Sequence, residues 1–201
     1  MKKFLLIAFM ATGTLFAQAQ TKGTNTLGLG LNFGTTKTDQ PSSSSESRNS
    51  AFTVGYGHFI KENQKIGINL FYSNYKFIDN EIDRPGVSTY GGTFTYQKYY
   101  ELFKKLYAFA GPRAGYHYND ENNGNGVTSN MYSLGAYGGI SWFVSKRIAL
   151  EADLLAADIN YSHRKESVAN SDMQYEYTST NFGLSTNGSL NGLGFKIYFL
   201  F

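Results

Sequence analysis

Apolar and polar residues alternate with a period of two along most of this chain. Leu27, Leu29, Leu31 and Phe33 alternate with Gly28, Gly30, Asn32 and Gly34. Successive side chains of an extended strand point to opposite faces, so this spacing predicts a strand with one greasy side. The pattern recurs in eight segments: Thr24–Thr35, Ala51–Ile60, Gln64–Phe77, Thr89–Glu101, Lys105–Tyr118, Met131–Val144, Ile148–Tyr161 and Leu190–Phe201. In the last, Leu193, Phe195, Ile197, Phe199 and Phe201 share a face, and Gly194, Lys196, Tyr198 and Leu200 take the other. Leu154 and Leu155 are adjacent apolar residues that break strict parity, and a β-bulge there accommodates the extra residue.

The connections sort by length. Thr36–Ser50, Ile78–Ser88, Asn119–Asn130 and a stretch after Ser162 are long and polar; Lys61–Asn63, Leu102–Lys104 and Ser145–Arg147 are short. A soluble meander has no reason to alternate its turns this way. A barrel threaded from one side of a membrane does, with tight turns on the near side and long loops on the far side. An even number of strands brings both ends of the barrel domain to the tight-turn side. Tyr175–Ser189 fits none of the eight crossings; it reads as an extension of the last two strands beyond the membrane, a rim hairpin with an exposed edge.

The N-terminus supports the same destination. Lys2 and Lys3 precede an apolar run from Phe4 to about Phe16, followed by Ala17-Gln18-Ala19. A basic start, a short apolar stretch and a small-x-small site are the parts of a secretory signal peptide, with cleavage expected after Ala19. Residues 1–19 are thus assigned to the leader and residues 20–201 to the barrel. The apolar run is shorter than the ~20 residues of a spanning helix. With no cysteine, a disulfide framework is excluded. Removing Lys2 and Lys3 takes the net charge from +3 to +1, which argues against nucleic acid as a partner. The 22 Gly, 16 Tyr and 16 Phe suit strands whose polar half is small and whose apolar half is large.

Which way the greasy face points separates two architectures. A soluble barrel buries it inward, whereas a transmembrane barrel turns it to lipid. The polar set is mostly Gly, Ser, Thr and Asn. Such residues fit a narrow eight-stranded interior and make a poor solvated exterior, which carries many Lys and Glu. The apolar set is nearly free of charge over the strand centres; Lys98 is the exception, close to a short turn where its stem can snorkel. Tyr56, Tyr72, Tyr96, Tyr100, Tyr116 and Trp142 lie toward strand ends, as the aromatic girdles of a membrane barrel do. The expected fold is all-β: an eight-stranded antiparallel up-and-down transmembrane β-barrel.

With the leader Met1–Ala19, four long and three short connections and the ending GLGFKIYFLF, the chain resembles the porin-family small outer-membrane β-barrels of Gram-negative bacteria, of OmpA/OmpX type. The resemblance is architectural and extends over residues 20–201. It implies a bacterial outer-membrane location, with membrane lipid and lipopolysaccharide as surroundings and a monomeric barrel. It also implies that the terminal strand, with Phe195, Ile197, Phe199 and Phe201, is recognised by the barrel-assembly machinery during insertion. No motif specific to one activity accompanies it, and no cofactor is implied.

Candidate chemistry concentrates on inward-facing charges. Glu151 and Asp153 lie four to six residues up the seventh strand, and Lys196 five residues from the end of its neighbour. They are expected at similar depth, where an ion pair relieves the cost of charge in a constrained interior. Arg113 lies higher, near the depth of Asn32, with no evident partner. Two readings follow: a plugged lumen held by a polar network, or a narrow porin-like conduit. The first is preferred because eight strands enclose little more than side chains. Edge-strand adhesion by the rim hairpin is a third reading. Catalysis, such as lipid A modification, is not expected: His58 lies at the tight-turn end, and His117 and His163, though near Asp120, Glu121, Ser162 and Glu166, show no ordered nucleophile–base spacing. The loop beginning at Asn119 fails calcium-loop spacing, because Gly124 and Met131 occupy ligand positions. No metal site is expected.

Overall fold

The structure, a computed structural model, describes residues 20–40, 43–79, 82–121, 127–167, 174–186 and 195–201. The expected leader, Met1–Ala19, lies outside the described residues. Nine strands follow in chain order: β1 (Asn25–Gln40), β2 (Ser43–Lys61), β3 (Gln64–Asp79), β4 (Ile82–Phe103), β5 (Leu106–Glu121), β6 (Val127–Phe143), β7 (Ile148–Ser167), β8 (Gln174–Thr186) and β9 (Phe195–Leu200).

Each of β1 to β7 pairs antiparallel with its successor, and β9 closes the ring between β7 and β1. β9 takes Thr26 to Gly30 of β1 on one side and Ile148 to Ala152 of β7 on the other. β8 lies above it on the same edge of β7, pairing with Leu155 to Ser167. β8 and β9 therefore share the eighth wall position, and the eight-stranded barrel expected from the sequence is present. Tyr175–Ser189 was expected to rise beyond the membrane as a hairpin, but Gln174–Thr186 instead extends down the wall to the level of Leu155. The other edge of β8, and the edge of β1 from Leu31 upward, pair with no strand among the described residues.

The four polar connections are not loops over most of their length. Register continues to Gln40↔Ser43, Asp79↔Ile82, Glu121↔Val127 and Ser167↔Gln174. Polarity marks where the wall leaves lipid, not where pairing ends. Thr, Ser and Asn extend a ladder in water as readily as they leave it once the strands below hold the register. β1 to β7 run to 16–22 residues and β8 to 13, against the 9–11 that a tilted crossing needs.

The tight turns follow local chemistry. Asn63 adopts a left-handed φ of 58° at the β2–β3 turn, a conformation its short polar side chain tolerates. Leu154 is the extra residue of a bulge, because Gly138 faces Leu155 while Gly139 faces Asp153. Pro112 sits inside β5 without a backbone donor, and the β4–β5 ladder resumes on either side of it at Thr95↔Arg113 and Lys98↔Ala110. At this interruption the strands approach closely: a Cβ on Gly111 would stand 1.8 Å from the Tyr96 carbonyl oxygen, so only glycine fits.

The outer surface is apolar at mid-height. Leu29, Leu31, Phe52, Leu70, Phe94, Leu134, Ile159, Ile197 and Phe199 are all exposed. A belt of this kind facing water would be a liability, and facing lipid it is the surface a membrane barrel requires. Above it runs a band of tyrosines on five successive strands: Tyr72, Tyr90, Tyr116, Tyr132 and Tyr161. Neighbouring rings touch, with centroids 5.1 Å apart for Tyr72–Tyr90 and 5.2 Å for Tyr116–Tyr132. Tyr56, Tyr100 and Trp142 are exposed nearer the tight turns, and Tyr96 is half-buried on the same face. Lys98 is exposed there too, with its ammonium 5.4 Å from the Tyr100 ring.

Candidate functional site in the barrel lumen

The inward parity is not uniformly small and polar. Near the tight turns it carries Phe59, Tyr99, Tyr107, Phe109, Phe143, Tyr198 and Leu200, all buried. Their rings interlock, with centroids 5.7 Å apart for Phe59–Tyr99, 5.9 Å for Tyr99–Phe109 and 5.4 Å for Tyr107–Phe143. These residues form a floor across the lumen. The expectation of a mostly Gly/Ser/Thr/Asn interior holds for the wall above the floor. It fails at the floor because large rings are what fill an eight-stranded bore. Small inward residues make room for them: a Cβ on Gly28 would fall 2.4 Å from the ring of Tyr198.

Set into this floor is a charged pair. The Lys65 ammonium lies 3.0 Å from Glu151 Oε1, and the two side chains are only 3% and 4% exposed. Tyr99 donates its hydroxyl to Glu151 Oε1 at 2.6 Å, Gln97 donates its amide to Oε2 at 3.3 Å, and Ser141 Oγ approaches Oε1 at 3.5 Å. Lys65 also faces the Tyr198 ring at 4.2 Å and the Tyr99 ring at 5.4 Å. Both carboxylate oxygens accept hydrogen bonds and the ammonium faces two aromatic rings, which is the condition for tolerating a buried ion pair.

Above the floor, three more inward pairs climb the same strand. Asp153 takes Lys196 of β9 at 3.1 Å. Asp158 takes Arg113 of β5 through both carboxylate oxygens, with Arg113 Nε to Asp158 Oδ1 at 2.8 Å. Arg164 takes Glu121 of β5 in a two-pronged contact at 2.6 and 3.1 Å. β7 is thus the electrostatic spine of the lumen. Side-chain exposure rises from 3–4% at the floor pair to 27–41% at the uppermost.

The sequence-based candidates fall into place unequally. Glu151, Asp153, Arg113 and Lys196 all belong to the ladder, but their pairing differs from what strand adjacency suggests. Glu151 and Lys196 are register partners, yet Lys196 reaches Asp153 and Glu151 turns across the lumen to Lys65. Asn32 is exposed on the upper part of β1 and joins no ion pair of the ladder. Lys65 and Asp158 were missed. Both lie on the inward parity of their strands, and that parity was the available signal. Of the assembly-signal residues, Ile197, Phe199 and Phe201 are exposed on the outer face; Phe195 pairs through its backbone with Ala152.

The histidines are engaged elsewhere. His58 Nδ1 lies 2.9 Å from Asn25 Oδ1, His117 packs its ring against Phe71 at 4.9 Å, and His163 lies 3.9 Å from Glu176. None has a serine or threonine hydroxyl as hydrogen-bond partner among the described residues. No cluster of three metal-ligating side chains occurs among them either. Between floor and upper lumen, a void of about one water molecule lies among Lys65, Asn69, Thr95, Gln97, Tyr137 and Lys196. Among the described residues the lumen is therefore filled at the tight-turn end, and its side chains become more exposed toward the other end.

No family model matches the chain, and no curated protein matches it in sequence. Solved structures do match in fold. The outer membrane protein OprG from Pseudomonas aeruginosa aligns with a TM-score of 0.53 at 7% identity, over 90% of this chain and 97% of that one. Neisserial surface protein A gives a TM-score of 0.47 at 13% identity, over 90% and 98%. The translocator domain of autotransporter NalP from Neisseria meningitidis gives 0.48 at 16% identity, over 91% of this chain. The chain spans 65% of that domain's length. The fold is that of a small outer-membrane β-barrel; these likenesses do not single out the OmpA/OmpX type.

Proposed function

We propose that this outer-membrane β-barrel is a non-catalytic, non-conducting protein with a structural or surface-interaction role. The observation that carries the reading is the lumen floor, where interlocked aromatic rings enclose the Lys65–Glu151 pair. An ion crossing it would have to part packed rings and disrupt the buried Lys65–Glu151 pair. A porin-like conduit needs a continuous aqueous path instead. In planar bilayers the refolded protein should give no stable unitary conductance. Reproducible single-channel steps from unmodified protein would overturn the reading.

In this proposal the barrel stands as a monomer among outer-membrane lipids. Its charged upper rim faces lipopolysaccharide, and its closing strand is what the assembly machinery engages. A second reading, edge-strand binding, is favoured by one observation: β8 and the upper part of β1 each have an edge without a strand partner among the described residues. Such edges accept an added strand. Proline at the backbone donors of β8 and upper β1 that face away from β7 and β2 should then abolish attachment to a partner while leaving heat-modifiable electrophoretic mobility intact.

A further inference from the structure

The two ends of the barrel treat charge differently. At the upper end, basic residues are mostly matched: Arg48 with Glu46, Arg164 with Glu121, and Lys165 with Glu176. At the tight-turn end, Lys61, Lys104, Lys146 and Arg147 are exposed and form no ion pair among the described residues. Backbone hydrogen bonds knit the turns into one rim. Phe143 N donates to Lys105 O at 2.8 Å, and Leu200 N donates to Arg147 O at 2.9 Å. Lys105 Nζ also donates to the Val144 carbonyl at 3.3 Å, so the β4–β5 turn with Lys104 sits beside the β6–β7 turn with Lys146 and Arg147. Exposed Phe103, Trp142 and Ile148 flank these cations. Cations beside exposed aromatics are the composition that seats a protein at a lipid headgroup layer.

We propose that this rim, centred on Lys104, Lys146 and Arg147, is a binding surface for the headgroups of anionic phospholipids in the leaflet that the tight turns face. The inference rests on the membrane-barrel reading. Three exposed cations on two adjacent turns place positive charge together at the end of the barrel that meets the headgroups, beside exposed apolar and aromatic side chains. A neutral zwitterionic headgroup offers no net charge to this cluster. Basic segments near a membrane surface favour anionic lipid cumulatively, residue by residue.

Trp142 is the only tryptophan and stands on this rim, which makes it a local reporter. The mature barrel is reconstituted in phosphatidylcholine nanodiscs with a fixed fraction of brominated phosphatidylglycerol or, separately, brominated phosphatidylcholine, and Trp142 quenching is measured. The phosphatidylglycerol probe should quench about two- to fivefold more strongly at low salt and lose that advantage as salt rises. The variant K104Q/K146Q/R147Q should quench equally with both lipids. The control K37Q/K76Q/K165Q, with the same charge change at the other end, should keep the preference. Equal quenching of unmodified protein by the two lipids would overturn the proposal, as would a preference that survives in the rim variant or disappears in the control. Absence of quenching by either lipid would instead refute the membrane orientation on which the proposal rests. Heat-modifiable mobility of each variant confirms that it is folded before the comparison is made.

Discussion

Replacing Lys65 with methionine should damage this barrel more than any other single charge removal in the lumen. At 3.0 Å and an effective dielectric near 20, the attraction between Lys65 and Glu151 is about 5 kcal/mol. Desolvation of two side chains at 3% and 4% exposure cancels most of that, so the pair is close to neutral relative to an apolar substitute. Removing one partner is different, because the other charge stays buried without compensation. The expected cost of Lys65→Met is ~3–5 kcal/mol. Glu151 would keep the Tyr99 and Gln97 hydrogen bonds but lose its counter-ion. The double variant Lys65→Met/Glu151→Gln keeps a carbonyl acceptor for Tyr99 and removes the orphaned charge, so it should recover more than half of the loss. Lys196→Met is the internal comparison: Lys196 and Asp153 are 28% and 24% exposed, water can solvate the remaining carboxylate, and the cost should be ~1 kcal/mol. Urea unfolding in lipid vesicles, followed by Trp142 fluorescence, measures all three. With a slope of ~1–3 kcal/mol per molar, the Lys65→Met midpoint should fall by roughly 1–5 M. A midpoint no lower than that of Lys196→Met, or a double variant as unstable as the single, would refute the view that an enclosed ion pair organises the floor.

Other outcomes follow from the same geometry. Tyr99→Phe removes a 2.6 Å hydrogen bond to the buried carboxylate and should cost ~1.5–3 kcal/mol in the same unfolding assay, without inducing conductance. Gly111→Ala drives a Cβ into the Tyr96 carbonyl at the interrupted β4–β5 ladder and should lower the unfolding midpoint, whereas Gly34→Ala, with open space at that position, should leave it nearly unchanged. On the upper rim, a hydrogen bond from Lys165 holds the Glu176 carboxyl below its ordinary value of 4.5. A carboxyl lowered in the folded state adds stability above its unfolded pKa and loses it as pH falls through the folded one. Lys165→Gln should therefore raise the Glu176 titration midpoint seen by carboxyl NMR; an unmoved midpoint would mean the pair does not form in solution.

Alternation along the chain determined the strands, the face each residue takes and the even count of wall positions. Leu27, Leu29 and Leu31 could not change face without a one-residue slip that would turn every neighbour with them. Lys65, Tyr99 and Phe109 share the inward parity of their strands, yet the sequence reading singled out none of them, because parity gives a face and not a neighbour. What parity lacks is the third coordinate. It does not say how far each strand is staggered against the next, and so it cannot say which inward groups meet across the bore. Lys65 and Glu151 are 86 residues apart and lie on strands that do not pair. Lys196, the register partner of Glu151, reaches Asp153 instead. The extent of the hairpins was hidden for a related reason: polarity reports the solvent a residue meets, while pairing depends on the strand beside it. Sequence alone therefore determined a membrane-facing barrel with charged residues in its lumen. Only closure of the ring, which sets stagger and brings distant strands face to face, decided that those charges form a ladder on β7 above an aromatic floor.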